Sequence, residues 1–442
     1  MDKIGLPVIG MQGGGVDYGT EKKIASLENK SVELEQQIEE LNSKNSTLED
    51  RVRNLENANE IRKWNEAVPL ILYNLDETED AELLITHTAD ALAIQYDYAV
   101  VPLKEEENEH LLNFGKVSYK SRRTHYNGTD DVPPPVVVPA GHAILLKSRS
   151  SLNWGNNSGY TSIGLSKEFS VGGLVCSLNY GKSGALYREL FGKQTSLKRV
   201  KKDILLGLIA NKNMVFEEMF YGCTSLENAP ELPETTLGVS CYYNMFHGCT
   251  SLKAAPELPA TTLASSCYQS MFNGCTSLKT APKLPATTLV PGCYSNMFRG
   301  CTSLETAPEL PATKLANSCY QYMFYGCTSL KTAPELPATT LFYSCYSNMF
   351  NGCTSLETAP ELPATTIDGF SCEWMFKNCS KLNRVKALFT KIENYGLNGW
   401  LTGVSPTGTF YKSGDNTYTR EEMGIPSGWN VETIQEDGGG QA

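Results

Sequence analysis

The chain has 442 residues, 49 of them acidic and 38 basic, giving a net charge of −11 with 41% apolar and 20% charged residues. That length accommodates two or three domains with cores of their own. A uniform acidic excess excludes a protein that grips nucleic acid by its phosphates, which needs a clustered basic face, and no stretch approaches the roughly 18 apolar residues of a membrane-inserted helix.

Residues 1–20 carry an apolar patch, Ile4-Gly5-Leu6-Pro7-Val8-Ile9, followed by Gly13-Gly14-Gly15. The apolar run from Leu6 to Met11 is too short for a secretory core, so synthesis in a cytoplasm without a signal peptide and with reduced thiols is expected. The segment reads either as a docking peptide on a flexible hinge, gripping through Ile4, Leu6, Pro7, Val8 and Ile9, or as a leader with no role.

Residues 21–63 predict an α-helical stalk. No Gly or Pro interrupts Ile24 to Arg62, and leucine recurs every seventh residue at Leu27, Leu34, Leu41, Leu48 and Leu55. These are the d positions of a coiled coil, and Ile24, Ser31, Ile38, Asn45, Val52 and Asn59 fall at a. Flanking pairs Lys23 with Glu28, Lys30 with Glu35, Lys44 with Glu49 and Arg51 with Glu56 attract between identical parallel helices. The expectation is a parallel homo-oligomer about 60 Å long at about 1.5 Å per residue. A helix packed on its own domain is the alternative, disfavoured by strict 3.5 spacing over five heptads.

Residues 64–185 predict a β-rich adaptor of one or two small domains. The runs YDYAVVPL, KVSYKSR, PVVVPAGHAILLKSR and FSVGGLVCSLNYG are rich in Val and Tyr and bounded by Gly, Asn and Pro, as short strands are. Asp130 to Pro135 reads as a loop or internal boundary, and DETEDAELLITHTADALAIQYD as the site of a short helix.

Residues 186–389 predict a repeat solenoid. The unit MFYGCTSLENAPELPETTLGVSCYYN starting at Met219 recurs at Met245, Met271, Met297, Met323, Met349 and Met375, always 26 residues on, and Leu190-Phe191 marks a degenerate earlier copy, making eight coils. One unit cannot bury its own apolar face, so each coil stacks its Phe220-type, Leu226-type, Leu232-type and Leu237-type side chains on the next. Two prolines in the Leu-x-x-Ala-Pro-x-Leu-Pro stretch make it extended yet exclude a long ladder. At about 4.8 Å per coil the stack spans about 40 Å. Residues 390–442 form a C-terminal cap and tail.

Thirteen of the 14 cysteines fall in two columns, Cys223, Cys249, Cys275, Cys301, Cys327, Cys353 and Cys379, and Cys241, Cys267, Cys293, Cys319, Cys345 and Cys372. With no Cys-x-x-Cys pair and only His247 nearby, zinc spacing is missing, and the columns read as packing ladders of thiols. A serine in such a column is expected to cost more than an alanine, by burying an unpaired hydroxyl.

The unit MFxGCTSLxxAPELPATTLxxSCYxN resembles the BspA-type leucine-rich repeat, in the variant found in proteins of Bacteroidetes bacteria and their phages. The resemblance runs from about residue 186 to 432, and the tail WLTGVSPTGTFYKSGDNTYTREEMGIPSGWNV is similar to the closing segment of such proteins. It implies a mainly β, leucine-rich-repeat-like solenoid, and adhesins, surface antigens or virion proteins as functions. Resemblance to phage fibres favours a trimer over a dimer. The reading it yields is a non-enzymatic virion fibre or adhesin, on head or tail, docked on a capsid or tail protein through residues 1–20 and meeting a host surface protein or polysaccharide. A bacterial envelope adhesin and an intracellular scaffold are the alternatives.

Catalytic and phosphate-cradling motifs are absent from the sequence, and no cofactor is expected. His87, His110, His125, His142 and His247 are scattered singly. The column Glu231, Glu257, Glu309, Glu335 and Glu361, broken by Lys283, repeats as a solvated face does and as a catalytic pair does not. Variation between copies marks candidates for recognition. After Met-Phe stand Tyr221, His247, Asn273, Arg299, Tyr325, Asn351 and Lys377, and after Cys-Tyr stand Tyr243, Gln269, Ser295, Gln321 and Ser347. With Phe342 and Tyr343 they supply the aromatic and guanidinium groups of a binding surface, or are unconstrained solvent positions.

Overall fold

A computed structural model describes residues 70–87, 95–102, 120–123, 135–148, 155–156, 159–173, 189–202, 204, 213–367, 369–393 and 395–434. The predicted docking peptide and coiled-coil stalk lie outside the described residues. What is described is mainly β, with no α-helix among those residues.

The region before the solenoid contains β1 (Leu70–Asn74), β2 (Ala81–His87), β3 (Gln95–Pro102), β4 (Lys120–Arg123), β5 (Val137–Val138), β6 (His142–Ser148), β7 (Gly155–Asn156), β8 (Gly159–Leu165) and β9 (Phe169–Gly173), and β10 (Leu197–Val200) follows in the first coil. They form a six-stranded sheet in the order β10-β9-β1-β6-β3-β4 and a four-stranded sheet in the order β5-β2-β8-β7. Alternate residues of the larger sheet, among them Leu70, Leu72, Ile144 and Leu146, share one buried cluster with Ala81, Leu83, Ile163 and Leu165 of the smaller, as period-2 strands require. The segment expected to hold a short helix, 76–97, contains β2, while its residues 88–94 lie outside the described residues. Ala81 and Leu83 are buried while Glu82 and Leu84 are exposed, an alternation that serves a strand, and β2 pairs antiparallel with β5 and β8.

The join to the solenoid is a strand addition. β10 belongs to the first coil yet pairs parallel with β9 at the edge of the six-stranded sheet, so adaptor and coils share one continuous core. The edge that would otherwise be open to aggregation is covered by the stack itself.

Each coil has two arms. In the first, Ser240 to Cys249 shows the rule. The N–H groups of Ser240, Tyr242, Asn244, Phe246 and Gly248 donate to carbonyls of the following coil, at Ser265, Cys267, Gln269, Met271 and Asn273, over 2.8 to 3.0 Å. Those of Cys241, Tyr243, Met245, His247 and Cys249 donate three residues back within the coil. The arm therefore advances in quartets, two residues inward and two outward. Cys241-Tyr242 and Met245-Phe246 are buried, and Tyr243-Asn244 and His247-Gly248 lie half-buried on the outside. The fourth residue of each quartet takes positive φ, as at Asn244 (φ 54) and Gly248 (φ 73), which is why Asn, Ser and Gly recur there.

Stacking of these arms builds the core. Phe191, Phe220, Phe246, Phe272, Phe298, Phe324, Phe350 and Phe376 form a column with ring centroids 5.4 to 5.8 Å apart. Phe216 heads a second column of Tyr242, Tyr268, Tyr294, Tyr320 and Tyr346. The second arm, with its prolines, makes only single parallel bridges between coils, such as Thr280 to Thr306 and Thr306 to Thr332.

Regular strands appear where the proline pattern stops. After β11 (Thr366–Ile367), the segment Asn383-Arg384-Val385-Lys386-Ala387 has no proline and forms β12 (Arg384–Ala387). With β13 (Lys391–Ile392) paired to β11, β14 (Gly408–Ser413) and β15 (Trp429–Ile434) continue the stack as a parallel sheet in the order β12-β14-β15. Trp400 is fully buried at the end of the Phe column, its ring 6.1 Å from Phe376 and its indole N–H donating to Met423 O over 2.7 Å.

Candidate functional site

The quartets decide which side chains the solenoid presents. Both variable columns occupy the third position of their quartets, Tyr221, His247, Asn273, Arg299, Tyr325, Asn351 and Lys377 in one and Tyr243, Gln269, Ser295, Gln321 and Ser347 in the other, the position that most often turns outward. The structure brings several of them into contact. The rings of Tyr221 and His247 stack at 4.9 Å, and Arg299 lies 4.8 Å over Tyr325 and 5.5 Å over Tyr322. Partial burial lowers the His247 pKa from its usual 6.5, opposed by Glu218 and assisted by Arg299. Tyr243, Gln269, Asn273 and Gln321 stand half-buried among them.

Asn351 does not join this surface. It is 6% exposed, and its amide donates to Asn348 Oδ1 over 2.9 Å. Ser295 and Ser347 are likewise buried. A small residue in one coil is covered by longer neighbours in the coils beside it, so a column that varies in sequence is not everywhere accessible.

The structure adds two further outward columns, the fourth positions of successive quartets, which variation at the two chosen positions did not show. The positive-φ sites filled by Asn or Ser in the early coils hold aromatic rings in the later ones, at Tyr322 (φ 57), Phe370 (φ 59), Trp374 (φ 52) and Tyr395 (φ 60). A bulky side chain at positive φ costs on the order of 1–3 kcal/mol, so four such residues in neighbouring coils call for a compensating use. Tyr343 meets Phe370 edge-on at 5.9 Å and Phe370 stacks on Tyr395 at 5.7 Å, while Lys377 sits 4.7 Å over Trp374. Tyr395 is 74% exposed, Tyr343 55% and Phe342 44%. The sequence signal was available, since Tyr322 and Trp374 stand where the other copies carry Asn, Ser or, at Glu218, Glu.

The cysteine columns lie inside. All thirteen are buried as free thiols, but Cys372 stands in the tyrosine column, with Ser371 in that of the Cys241-type thiols. Those of the first column donate to the carbonyl of a phenylalanine in the preceding coil, as from Cys301 Sγ to Phe272 O over 3.1 Å. Burial pushes the Cys301 thiol up to about 12 from 9.0, far from the depressed pKa of a reactive thiol. The Glu column, and Lys283 within it, is exposed throughout.

A stack of short coils with an aliphatic, aromatic and thiol interior defines a repeat solenoid of the leucine-rich type. Residues 210–330 and 293–399 match the family model of the BspA type leucine rich repeat region, in six copies, and this part of the chain is a BspA-type leucine-rich repeat solenoid. No curated protein and no solved structure matches the chain.

Proposed function

We propose that this protein is a non-enzymatic, fibre-type adhesin, carried on the particle of a Bacteroidetes phage and presenting its solenoid to a host-surface polysaccharide or protein. The observation that carries the reading is the contrast between a near-constant interior and an outer face on which aromatic and guanidinium groups gather, Arg299, Tyr343 and Tyr395 exposed and Tyr322, Tyr325, Phe370 and Trp374 half-buried beside them. Rings of this kind are the usual anchors of recognition surfaces, and interior uniformity is what a rigid scaffold for them requires. The heptads from Ile24 to Asn59 support a parallel oligomeric stalk, for which the resemblance to phage fibres favours three chains, and such a stalk would set several solenoids side by side and multiply weak contacts. Mass spectrometry of purified phage particles tests the assignment: the chain is expected among the virion proteins. Its recovery only from bacterial envelopes would instead favour a cell-surface adhesin of the same repeat type.

A further inference from the structure

An open pocket of about 380 Å³ lies on a different part of the surface from the aromatic face, over the parallel sheet that closes the stack. Thr358, Ala359 and Glu361 of the last proline-bearing arm line it, with Arg384 and Lys386 of β12, Tyr411 of β14 and Ile434 of β15. Earlier coils place a threonine where Arg384 stands, since Thr280, Thr306, Thr332 and Thr358 form the column that Arg384 continues. The charges within the pocket are unevenly matched. Lys386 Nζ is 2.8 Å from Glu361 Oε2, whereas Arg384 is held over the Tyr411 ring at 5.0 Å, and no carboxylate among the described residues pairs with it. The cation–π contact holds the guanidinium beside the ring, and its N–H groups remain for a planar anion.

We propose that this pocket binds a sugar acid, a polyhydroxylated ring carrying a carboxylate such as a uronic acid. Arg384 supplies the fork that a carboxylate accepts in bidentate fashion. The carboxylate of Glu361 accepts from ring hydroxyls, and the Thr358 hydroxyl accepts from or donates to them. Ala359, Ile434 and the Tyr411 ring give the lining apolar surface beside its charged and hydroxyl groups, a mixture that suits a sugar ring, whose hydroxyls and C–H faces need both. A ligand matching the pocket thus needs hydroxyl donors for Glu361 and an anion for Arg384 in one compact molecule. The site does not depend on the virion assignment.

The test is titration calorimetry of the full chain with D-glucuronate, D-glucose and acetate at low salt. Glucuronate is expected to bind saturably in the millimolar range, with glucose and acetate each about tenfold or more weaker, because either lacks half of the matched groups. Arg384→Gln is expected to lower glucuronate affinity about tenfold or more, and Glu361→Gln to weaken it while the protein's melting temperature holds. Binding by acetate equal to that of glucuronate would reduce the pocket to a general anion site and overturn the proposal. So would unchanged affinity in a folded Arg384→Gln protein, or no saturable binding by the unmodified chain.

Discussion

Phe298 touches Phe272 on one side and Phe324 on the other, at ring-centroid distances of 5.7 and 5.8 Å, so its loss opens a void shared by three coils. Phe298→Ala is expected to cost about 3–5 kcal/mol in urea unfolding. The thiols teach a finer lesson. Sequence reasoning expects serine to be worse than alanine throughout the columns, but Cys301 Sγ already donates to the Phe272 carbonyl, and a serine hydroxyl inherits that acceptor. Cys301→Ser and Cys301→Ala are therefore expected to cost alike, about 1–2 kcal/mol. Cys293, buried in the other column, donates no such bond in the structure. Cys293→Ser is expected to cost more than Cys301→Ser, a ranking that paired melts of the two variants would read directly.

At the scale of the element, the quartet arm is where sequence and structure part company. The 26-residue period, the buried phenylalanine, leucine and cysteine positions and the irregular proline arm were all legible, because each depends on repeated identity or on the missing proline N–H. The arm's geometry was not, because apolar pairs at Cys241-Tyr242 and Met245-Phe246 recur every four residues, matching neither the strand period of 2 nor the helix period of 3.6. For the same reason the aromatic positive-φ residues Tyr322 and Trp374 went unnoticed beside Gln321 and Glu373. In the adaptor, β2 was obscured by a cluster of acids and leucines that suits a helix in isolation, and its pairing with β5 and β8 prevails over that propensity. The conformation makes its own prediction. Asn296 holds φ 57, so Asn296→Gly is expected to be nearly neutral and Asn296→Val to cost about 1–3 kcal/mol, as thermal unfolding of the two variants should show.

For the molecule as a whole, stability is tied to the ends and to pH. Trp400 closes the Phe column, and terminal coils with a covered inner face are what keep a solenoid soluble. Trp400→Ala is expected to cost about 3–5 kcal/mol and to promote association, measurable by light scattering. Alkali acts on the whole interior. Burial raises Cys267, Cys301 and Cys319 to about 12 from 9.0, and it also raises Tyr242 and Tyr268 well above 10.0. A raised folded pKa means that the unfolded chain releases its proton first. Stability from these groups is thus complete below about pH 9 and drains away as pH rises toward 12. Melting temperature is expected to fall steeply across that window, and a flat profile to pH 11 would contradict a thiol and phenol interior.

The most direct test of the account is binding of the fluorescently labelled full chain to Bacteroidetes cells, compared with a Tyr325→Ala, Trp374→Ala, Tyr395→Ala variant of the outer face. Saturable binding that weakens about tenfold or more in the variant, with its melting temperature kept, is the predicted result. Equal binding by the two proteins, or no saturable binding by either, would contradict a recognition role for this face.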